Sequence, residues 1–309
     1  MGDFVLPAPE KAAIVTSFNA ASTAHIGQPL RRKEDRRLLT GRGQFSDDFS
    51  LPGQAYAAMV RSPYPHAMIG HIDCAAALAL PGVLAVITGH DLKKAGLNAI
   101  PHSPVPSTNY DLKLRAPDGG PAIIDDHFLL PTDRVRHVGE GVAMVIAGSL
   151  EAALDGVEQV AVAYDVLPCV IHSKSAILPD APTLYDGVSG NVFVDTTFGD
   201  QAATDAAFAQ ATHIVEHEFH IQRVTGVTME PRSALGNYDT ETGQFTLIAG
   251  SGSAVRQRNE LATVLAIDTA NLRVVSPDVG GNFGTRNRVY VEFGLVLFAS
   301  RQLSRPVKF

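Results

Sequence analysis

The sequence predicts a mixed α/β protein of the α+β class. A buried strand, "GVAMVIAG", is followed by the amphipathic helix "LEAALDGVEQVAV" and then by the strand "VAVAYDVLPCVI". The second half alternates in the same way, from the strand "QFTLIAGSG" through the helix "SAVRQRNELATVLAI" to the strand "LRVVSP". Glycine turns mark several of the junctions. Strands that alternate with helices indicate a sheet with helices packed on it.

Composition limits the classes of function. The chain has 309 residues, which leaves room for two domains, and it is 45% hydrophobic and 18% charged, as globular proteins are. Its net charge of -7 argues against nucleic acid as a partner. Two cysteines cannot hold an iron–sulfur cluster or a structural zinc. So low a cysteine content is typical of proteins of a reducing cytoplasm. No apolar stretch approaches the roughly 18 residues of a membrane span.

The first half begins with an extended arm at residues 1–25. Strands are predicted at 55–61 and 67–72, followed by a short Ala-rich helix after Cys74 and a strand at 83–88. Residues 97–132 form a long Pro/Gly-rich segment, for which a functional loop and a plain surface loop are equally good interpretations.

Ser149 is a good N-cap for the helix that follows the strand "GVAMVIAG". The helical spacing puts six apolar residues on one stripe: Leu150, Ala153, Leu154, Val157, Val160 and Ala161. Residues 173–200 are rich in Pro, Gly, Asp and Ser. We therefore predict a first domain at 26–177, a linker at 178–200 and a second domain at 201–309.

The second half opens with "ATHIVEHEFHIQRVTG", which we predict to be a long strand. It contains "HIVEH", a pattern that resembles a zinc-peptidase motif but needs a helix to bring both histidines to one metal. In a strand, His213 and His217 would lie about 13 Å apart. We therefore expect no metal site here.

Two glycine turns stand between a strand and a helix, "GSGSA" at 250–254 and "DVGGNFG" at 278–284. Each can be a plain tight turn, or can present backbone N–H groups to an anion at a helix start. Together they favour a cofactor that bears phosphate or oxo groups. For "MEPR" at 229–232, a buried Glu–Arg ion pair and a direct role in a site are equally good interpretations.

These segments resemble a known family. "RRKEDRRLLTGRGQFSDDFSLPGQAYAAMVRSPYPHAMIGHID", "LPGVLAVITGHDL" and "VGEGVAMVIAGSLEAALDGVEQVAVAYDVLP" are similar to the hammerhead domain of molybdenum hydroxylase large subunits. "MEPRSALGNYD" and "VVSPDVGGNFGTR" resemble the first part of their molybdopterin-binding domain. The family includes xanthine dehydrogenase, aldehyde oxidase and aerobic carbon monoxide dehydrogenase. The resemblance runs from about Ile26 to Phe309, and the order of the segments makes it specific.

The resemblance implies a molybdenum–molybdopterin cofactor, in bacteria often in a cytosine dinucleotide form. It also implies a reaction in which water supplies the oxygen, while electrons leave through iron–sulfur clusters of the 2Fe–2S type and FAD on partner subunits. Carried over residue by residue, the cofactor loop comprises Gly280, Gly281, Phe283 and Gly284. Phe283 is also placed to contact the small-molecule substrate.

Several positions depart from the family's pattern. Gly252 stands where the family usually has a cofactor-binding glutamine, so only its backbone can contribute. Asn282 replaces a small residue. Arg286 and Asn287 stand at the substrate-pocket positions where xanthine-type enzymes carry lysine and glutamate, which makes a purine substrate less expected. An aldehyde or an N-heteroaromatic compound is the expected substrate, and carbon monoxide would need a copper-binding loop absent from this chain.

The family's catalytic glutamate base belongs to a C-terminal half that this sequence does not contain, so we expect no catalytic residue here. The chain is then the N-terminal half of a split molybdenum subunit, completed by another chain, or a fragment. A non-catalytic assembly or cofactor-insertion partner is the alternative. A stand-alone nucleotide-binding protein is a weaker one, because no full phosphate-loop motif is present. An adjacent reading frame with "W-T-x-x-R" and a late "G-E" motif would favour the enzyme.

Overall fold

The computed structural model describes residues 29–101, 113–188 and 190–309, so the predicted arm at 1–25 lies outside the described residues. The chain divides into two compact units, Met1–Gly43 and Gln44–Phe309. The described part of the first unit contains one helix, α1, at Asp35–Leu39.

The second unit contains the remaining elements. Its strands are β1 Ala55–Arg61, β2 Ala67–Asp73, β3 Val83–Thr88, β4 Arg134–Val135, β5 Gly141–Ala147, β6 Ala161–Val166, β7 Ala234–Tyr238, β8 Phe245–Ala249, β9 Leu272–Val275 and β10 Val307–Lys308. Its α-helices are α2 Ala75–Leu78, α3 Gly89–Lys94, α4 Leu150–Gln159, α5 Ser173–Ala176, α6 Gln201–Gln210, α7 Ala254–Leu265 and α8 Val291–Leu303. Short 3-10 turns lie at Ser46–Asp48 and Thr269–Asn271.

A seven-stranded mixed sheet in the order β3-β5-β1-β10-β7-β8-β9 forms the centre of this unit. The short strand β10 joins its two parts, because Val307 pairs in parallel with Ala55 of β1 and antiparallel with Gly236 of β7. Strands from both predicted domains therefore share one sheet. A second, antiparallel sheet has the order β4-β2-β6. The mixed fold class is confirmed.

Helix α4 begins as predicted, with the Ser149 hydroxyl accepting a hydrogen bond from the Ala152 N–H at 3.2 Å. Its predicted apolar stripe is partly wrong, because Leu150 and Leu154 are 47% and 52% exposed. Small residues face the sheet instead. A Cβ at Gly156 would lie 3.2 Å from Val83 Cγ2, so this glycine lets the helix approach the strands more closely than a larger residue would.

Helix α8 covers the other part of the sheet, with Phe293, Leu295 and Leu297 fully buried. Gly236 of β7 allows this contact, since a Cβ there would lie 2.7 Å from the Val296 carbonyl carbon. Burial of large apolar side chains stabilises a fold by about 1.5–3 kcal/mol each. The sheet and α8 together fix the positions of the loops that precede and follow them.

The long strand predicted from "ATHIVEHEFHIQRVTG" is wrong. Residues 211–233 contain no helix or strand, and the apolar side chains of Val215, Phe219 and Ile221 are exposed. The alternating pattern favours a strand, but the segment pairs with no strand of the described chain. Within residues 29–101, 113–188 and 190–309, no group of three or more His, Cys, Asp or Glu could hold a metal ion. No helix in those same ranges is long and apolar enough to cross a membrane.

Candidate functional site

The loop between β9 and α8 carries a row of backbone donors. The N–H groups of Gly281, Asn282, Phe283 and Gly284 donate to no other group in the described part of the chain. Gly281, Phe283 and Gly284 have φ values of +115°, +50° and +86°. Alternation of left-handed and ordinary backbone makes consecutive N–H groups converge on an anion. We call residues 281–284 the donor row.

Gly280 does not belong to the donor row, although the sequence grouped it with these residues. Its N–H donates to Glu230 Oε2 at 2.8 Å, and its carbonyl oxygen accepts from the Glu230 N–H at 3.2 Å. A Cβ at position 280 would lie 3.1 Å from the Glu230 nitrogen. Gly280 is thus a glycine because the backbone of Glu230 packs directly against it. Its contact with a cofactor stays a prediction.

Glu230 forms a buried ion pair, and its partner is Arg286. The Arg286 guanidinium donates to Glu230 Oε2, to the Glu230 carbonyl oxygen and, at 2.8 Å, to Thr228 Oγ1. Ser46 donates to Glu230 Oε1 through both its backbone N–H, at 3.2 Å, and its hydroxyl, at 2.8 Å. The buried Glu–Arg ion pair anticipated at "MEPR" does not form between Glu230 and Arg232, because Glu230 pairs with Arg286, 56 residues along the chain. Arg286 is 5% exposed, and its role in a substrate pocket stays a prediction.

A second buried carboxylate, Glu292, stands in the first turn of α8. It accepts from Arg61 Nη2 at 3.2 Å and from Arg232 Nη1 at 3.1 Å. The Arg232 guanidinium also lies over the Tyr290 ring, 3.8 Å from its centroid. The acid suits the positive end of the helix dipole, and the two arginines attach the loops on either side to it. The sequence analysis did not single out Glu292. Its signal is a lone acid within the apolar stretch "VYVEFGLVLF".

The first glycine turn is held by hydrogen bonds from its own backbone N–H groups. The Gly252 N–H donates to the Arg286 carbonyl oxygen at 3.0 Å. The N–H groups of Ser251 and Ser253 donate to Ser276 Oγ and Ser251 Oγ. None of these three N–H groups is free for an anion, so of the two interpretations of this turn the plain tight turn applies at residues 251–253. Gly252 as a cofactor contact stays a prediction.

Exposed apolar side chains belong to the donor row or to the neighbours of Thr228, which packs against Gly281. Phe283 is 78% exposed and Met229 is 94% exposed, and Val227 is also exposed. The ring of Phe283 lies against Gly281, where a Cβ would be 3.1 Å from Phe283 Cε2. The Asn287 side chain is half-buried and accepts from Asn282 Nδ2 at 2.8 Å. The contributions of Ser46, Thr228 and the Asn282–Asn287 contact have no local sequence signal, because each depends on long-range packing or on loop geometry.

Comparison with known proteins agrees with this geometry. Residues 40–168 match the model of the aldehyde oxidase and xanthine dehydrogenase a/b hammerhead domain, and residues 184–309 match the molybdopterin cofactor-binding domain. The chain belongs to the aldehyde oxidase and xanthine dehydrogenase family of molybdopterin-binding subunits. This confirms the resemblance found in the sequence.

Curated members of the family are much longer. The chain is 34% identical over 288 residues to the carbon monoxide dehydrogenase large chain of Hydrogenophaga pseudoflava, covering 89% of this chain and 34% of that one. It is 34% identical over 287 residues to the nicotine 6-hydroxylase large subunit of Paenarthrobacter nicotinovorans, covering 92% and 33%. It spans 60% of the nicotinate dehydrogenase large molybdopterin subunit of Eubacterium barkeri, at 27% identity. The chain thus spans about a third of the first two relatives.

Solved structures in the family share the fold. Quinoline 2-oxidoreductase from Pseudomonas putida 86 superposes with a TM-score of 0.77 at 34% identity, covering 90% of this chain and 34% of that one. A Cu,Mo-CO dehydrogenase gives a TM-score of 0.76 at 30% identity, covering 91% and 35%. The family model implies a molybdopterin group, which is rich in oxygen and phosphate. The four unpartnered N–H groups of the donor row fit such a group.

Proposed function

We propose that the chain is the part of a molybdenum-dependent hydroxylase or dehydrogenase that carries one wall of the cofactor site. The proposed substrate is an aldehyde or an N-heteroaromatic compound, with water as the oxygen source. Electrons then pass to 2Fe–2S and FAD partner subunits. The names of the relatives, which include a nicotine 6-hydroxylase and a quinoline oxidoreductase, support this class of substrate.

The donor row is the observation that carries the proposal. Four successive N–H groups without a partner in the described chain would cost several kcal/mol if buried dry, so they need water or a ligand. When bound, the molybdenum–molybdopterin group supplies the redox centre. We propose its cytosine dinucleotide form for this chain. We propose that Gly281, Phe283 and Gly284 contact its oxygen-rich part.

The residues behind the donor row hold it in place. Glu230 holds the Gly280 peptide through its carboxylate, and Arg286 neutralises that carboxylate. Gly252 holds the Arg286 carbonyl from the other side. We propose that Phe283 and Asn287, which keep partly exposed side chains, face the substrate, while Arg286 acts from behind them.

We propose that the proton-accepting base comes from outside this chain. Both oxygens of Glu230 accept two hydrogen bonds each, from Ser46 on one side and from Gly280 and Arg286 on the other. Glu292 is likewise engaged with two arginines. Both carboxylates are buried and already hold loops of the protein in place, so neither faces a substrate.

We propose three protein partners in the complex: a chain that carries the rest of the molybdenum subunit, an iron–sulfur subunit and an FAD subunit. The exposed apolar side chains beside the donor row support this, because such a surface is typical of a contact with another polypeptide. The two cysteines, of which Cys169 is exposed and Cys74 partly buried, cannot ligate a cluster between them. The isolated chain is then inactive. Cysteine usage favours the cytoplasm as the location.

The test is chemical analysis of the complex that contains the full chain. Pterin is released by oxidation and measured by fluorescence, molybdenum is measured by mass spectrometry, and turnover is followed with a dye as electron acceptor. The proposal expects both pterin and molybdenum, with turnover of aldehydes or N-heteroaromatics and little of purines. Absence of both pterin and molybdenum would refute it.

A non-catalytic role in assembly or cofactor insertion is the second candidate. It is favoured by Gly252, which has no side chain to offer and whose N–H is already used. In that case the complex would carry pterin only transiently, and pterin would pass to an acceptor protein without any substrate turnover.

A further inference from the structure

Gly252 has a space beside it that other side chains fill. A Cβ at position 252 would lie 2.9 Å from Asn282 Cγ and would overlap Asn282 Nδ2 and Asn287 Oδ1. Real Cβ atoms do not approach other atoms so closely. The two asparagine amides therefore occupy the space that any side chain at 252 would need.

The same amides are joined by hydrogen bonds. Asn282 Nδ2 donates to Asn287 Oδ1 at 2.8 Å, and Asn282 Oδ1 accepts from the Arg286 N–H at 3.0 Å. The Arg286 carbonyl oxygen in turn accepts from the Gly252 N–H at 3.0 Å and from Gln257 Nε2 at 3.1 Å. Turn 250–253, helix α7 and the end of the donor-row loop are thus connected through the backbone N–H and carbonyl of one residue, Arg286.

Asn282 also belongs to the donor row, between two residues with positive φ. Its side chain is anchored at both polar atoms, so its backbone N–H is held in a fixed direction. Loss of the side-chain anchor would leave the preceding residue, Gly281, free to rotate, because glycine has the fewest backbone restrictions.

We propose that Gly252, Asn282 and Asn287 form one unit, here called the amide lock, which sets the geometry of the donor row. Gly252 contributes by lacking a side chain, and Asn282 and Asn287 are positioning residues. The inference rests on the proposed function in one respect only, that the donor row binds a molybdopterin-type group. The steric coupling of the three residues is independent of that function.

A double-mutant cycle tests the amide lock in the intact complex. The variants are Gly252→Ala, Asn282→Ala and the two combined, with Gly148→Ala as the matched control, since a Cβ there would meet nothing nearer than 3.8 Å. Two quantities are measured: the pterin content per chain and the midpoint of thermal unfolding. Asn287→Leu, which keeps the volume but removes the acceptor, is measured beside them.

The amide lock predicts that Gly252→Ala lowers pterin content by about tenfold and lowers the unfolding midpoint. Asn282→Ala removes the overlap with Asn282 and releases the Asn287 amide from its hydrogen bond, so the double variant regains part of the midpoint lost in Gly252→Ala but not the full pterin content. Asn287→Leu loses pterin in the same way as Asn282→Ala. Gly148→Ala keeps the pterin content of the wild type.

Additive effects of Gly252→Ala and Asn282→Ala on the midpoint would overturn the amide lock, as would a Gly252→Ala variant that behaves like Gly148→Ala. A wild-type complex without pterin would refute the proposed function instead. In that case the unfolding midpoints still decide whether the three residues are coupled.

Discussion

The Glu230 carboxylate and the Arg286 guanidinium form a buried ion pair that lies between the two glycine turns. A Cβ at Gly250 would lie 3.3 Å from Glu230 Oε2, and a Cβ at Gly280 would lie 3.1 Å from the Glu230 nitrogen. Glycines on both sides therefore make room for the pair. The ion pair and the Glu230–Gly280 hydrogen bond hold the loop that carries the donor row. The N–H groups of the donor row itself have no partner in the described part of the chain.

Glu230→Gln should destabilise the chain strongly. The change leaves the Arg286 guanidinium buried without its counter-charge, and breaking a buried pair from one side costs about 3–5 kcal/mol. The free energy of unfolding in urea measures the loss. Glu218→Gln is the control, because its pair with Lys174 is exposed, and such pairs contribute little. Equal effects of the two substitutions would contradict the account of this ion pair.

Gly280→Ala should displace Glu230. The added Cβ would lie 3.1 Å from the Glu230 nitrogen, closer than ordinary contacts allow, and overpacking of this kind costs about 1–3 kcal/mol. Hydrogen exchange at the amides of residues 230 and 280 should rise together, because they share two hydrogen bonds. Hydrogen exchange at both amides that stays the same as in the reference variant Gly148→Ala would contradict the predicted displacement of Glu230.

Glu292→Gln should destabilise the chain more than Arg61→Gln or Arg232→Gln. Glu292 has a side chain that is 1% exposed and that serves both arginines, whose side chains are 46% and 44% exposed. Glu292→Gln breaks both ion pairs at once, whereas a single arginine substitution breaks one pair and leaves Glu292 one counter-charge. Urea unfolding of the three variants gives the order. A larger effect of Arg61→Gln than of Glu292→Gln would show that this centre is organised differently.

The two cysteines should differ in their reaction with iodoacetamide. Burial raises the pKa of the Cys74 thiol, and the nearby carboxylates of Asp91 and Asp73 raise that pKa further. A higher pKa leaves less thiolate at a given pH, so Cys74 should be modified slowly near neutral pH and faster as the pH rises. Cys169 is exposed and should react first. Mass spectrometry of timed samples measures both rates, and equal rates at pH 7 would be inconsistent with the structure.

Local patterns predicted the regular elements well. Strand β5 and helix α4 follow from a continuous apolar run and from Ser149 as N-cap, both of which act within a few residues. The apolar stripe predicted for α4 is wrong at Leu150 and Leu154, which are exposed. Packing of Gly156 against Val83 turned the small residues toward the sheet and left Leu150 outside.

The strand predicted at residues 211–226 failed for a related reason. A strand needs a partner as well as an alternating sequence, and no described strand pairs with this segment. The alternating apolar pattern is present in the exposed side chains of Val215, Phe219 and Ile221, but no described strand pairs with them.

The candidate site was predicted in its residues but not in its connections. The sequence singled out the loop "DVGGNFG" and the cluster "MEPR", and both lie at the site. It gave no sign that Arg286 pairs with Glu230, or that Asn282 and Asn287 fill the space beside Gly252. Those contacts join residues far apart in the chain, or depend on a turn conformation that composition does not determine.

Pterin content of the complex, compared between Gly284→Val and Gly243→Val, tests the central claim most directly. Both glycines have positive φ, +86° and +72°, and neither has an atom within 4 Å of an added Cβ, so a side chain strains both backbones similarly and its Cβ meets no other atom. Only Gly284 belongs to the donor row, while Gly243 lies in the turn between β7 and β8. The account predicts pterin in the wild type and in Gly243→Val, and its loss in Gly284→Val. Equal pterin content in the two variants, or none in the wild type, would contradict it.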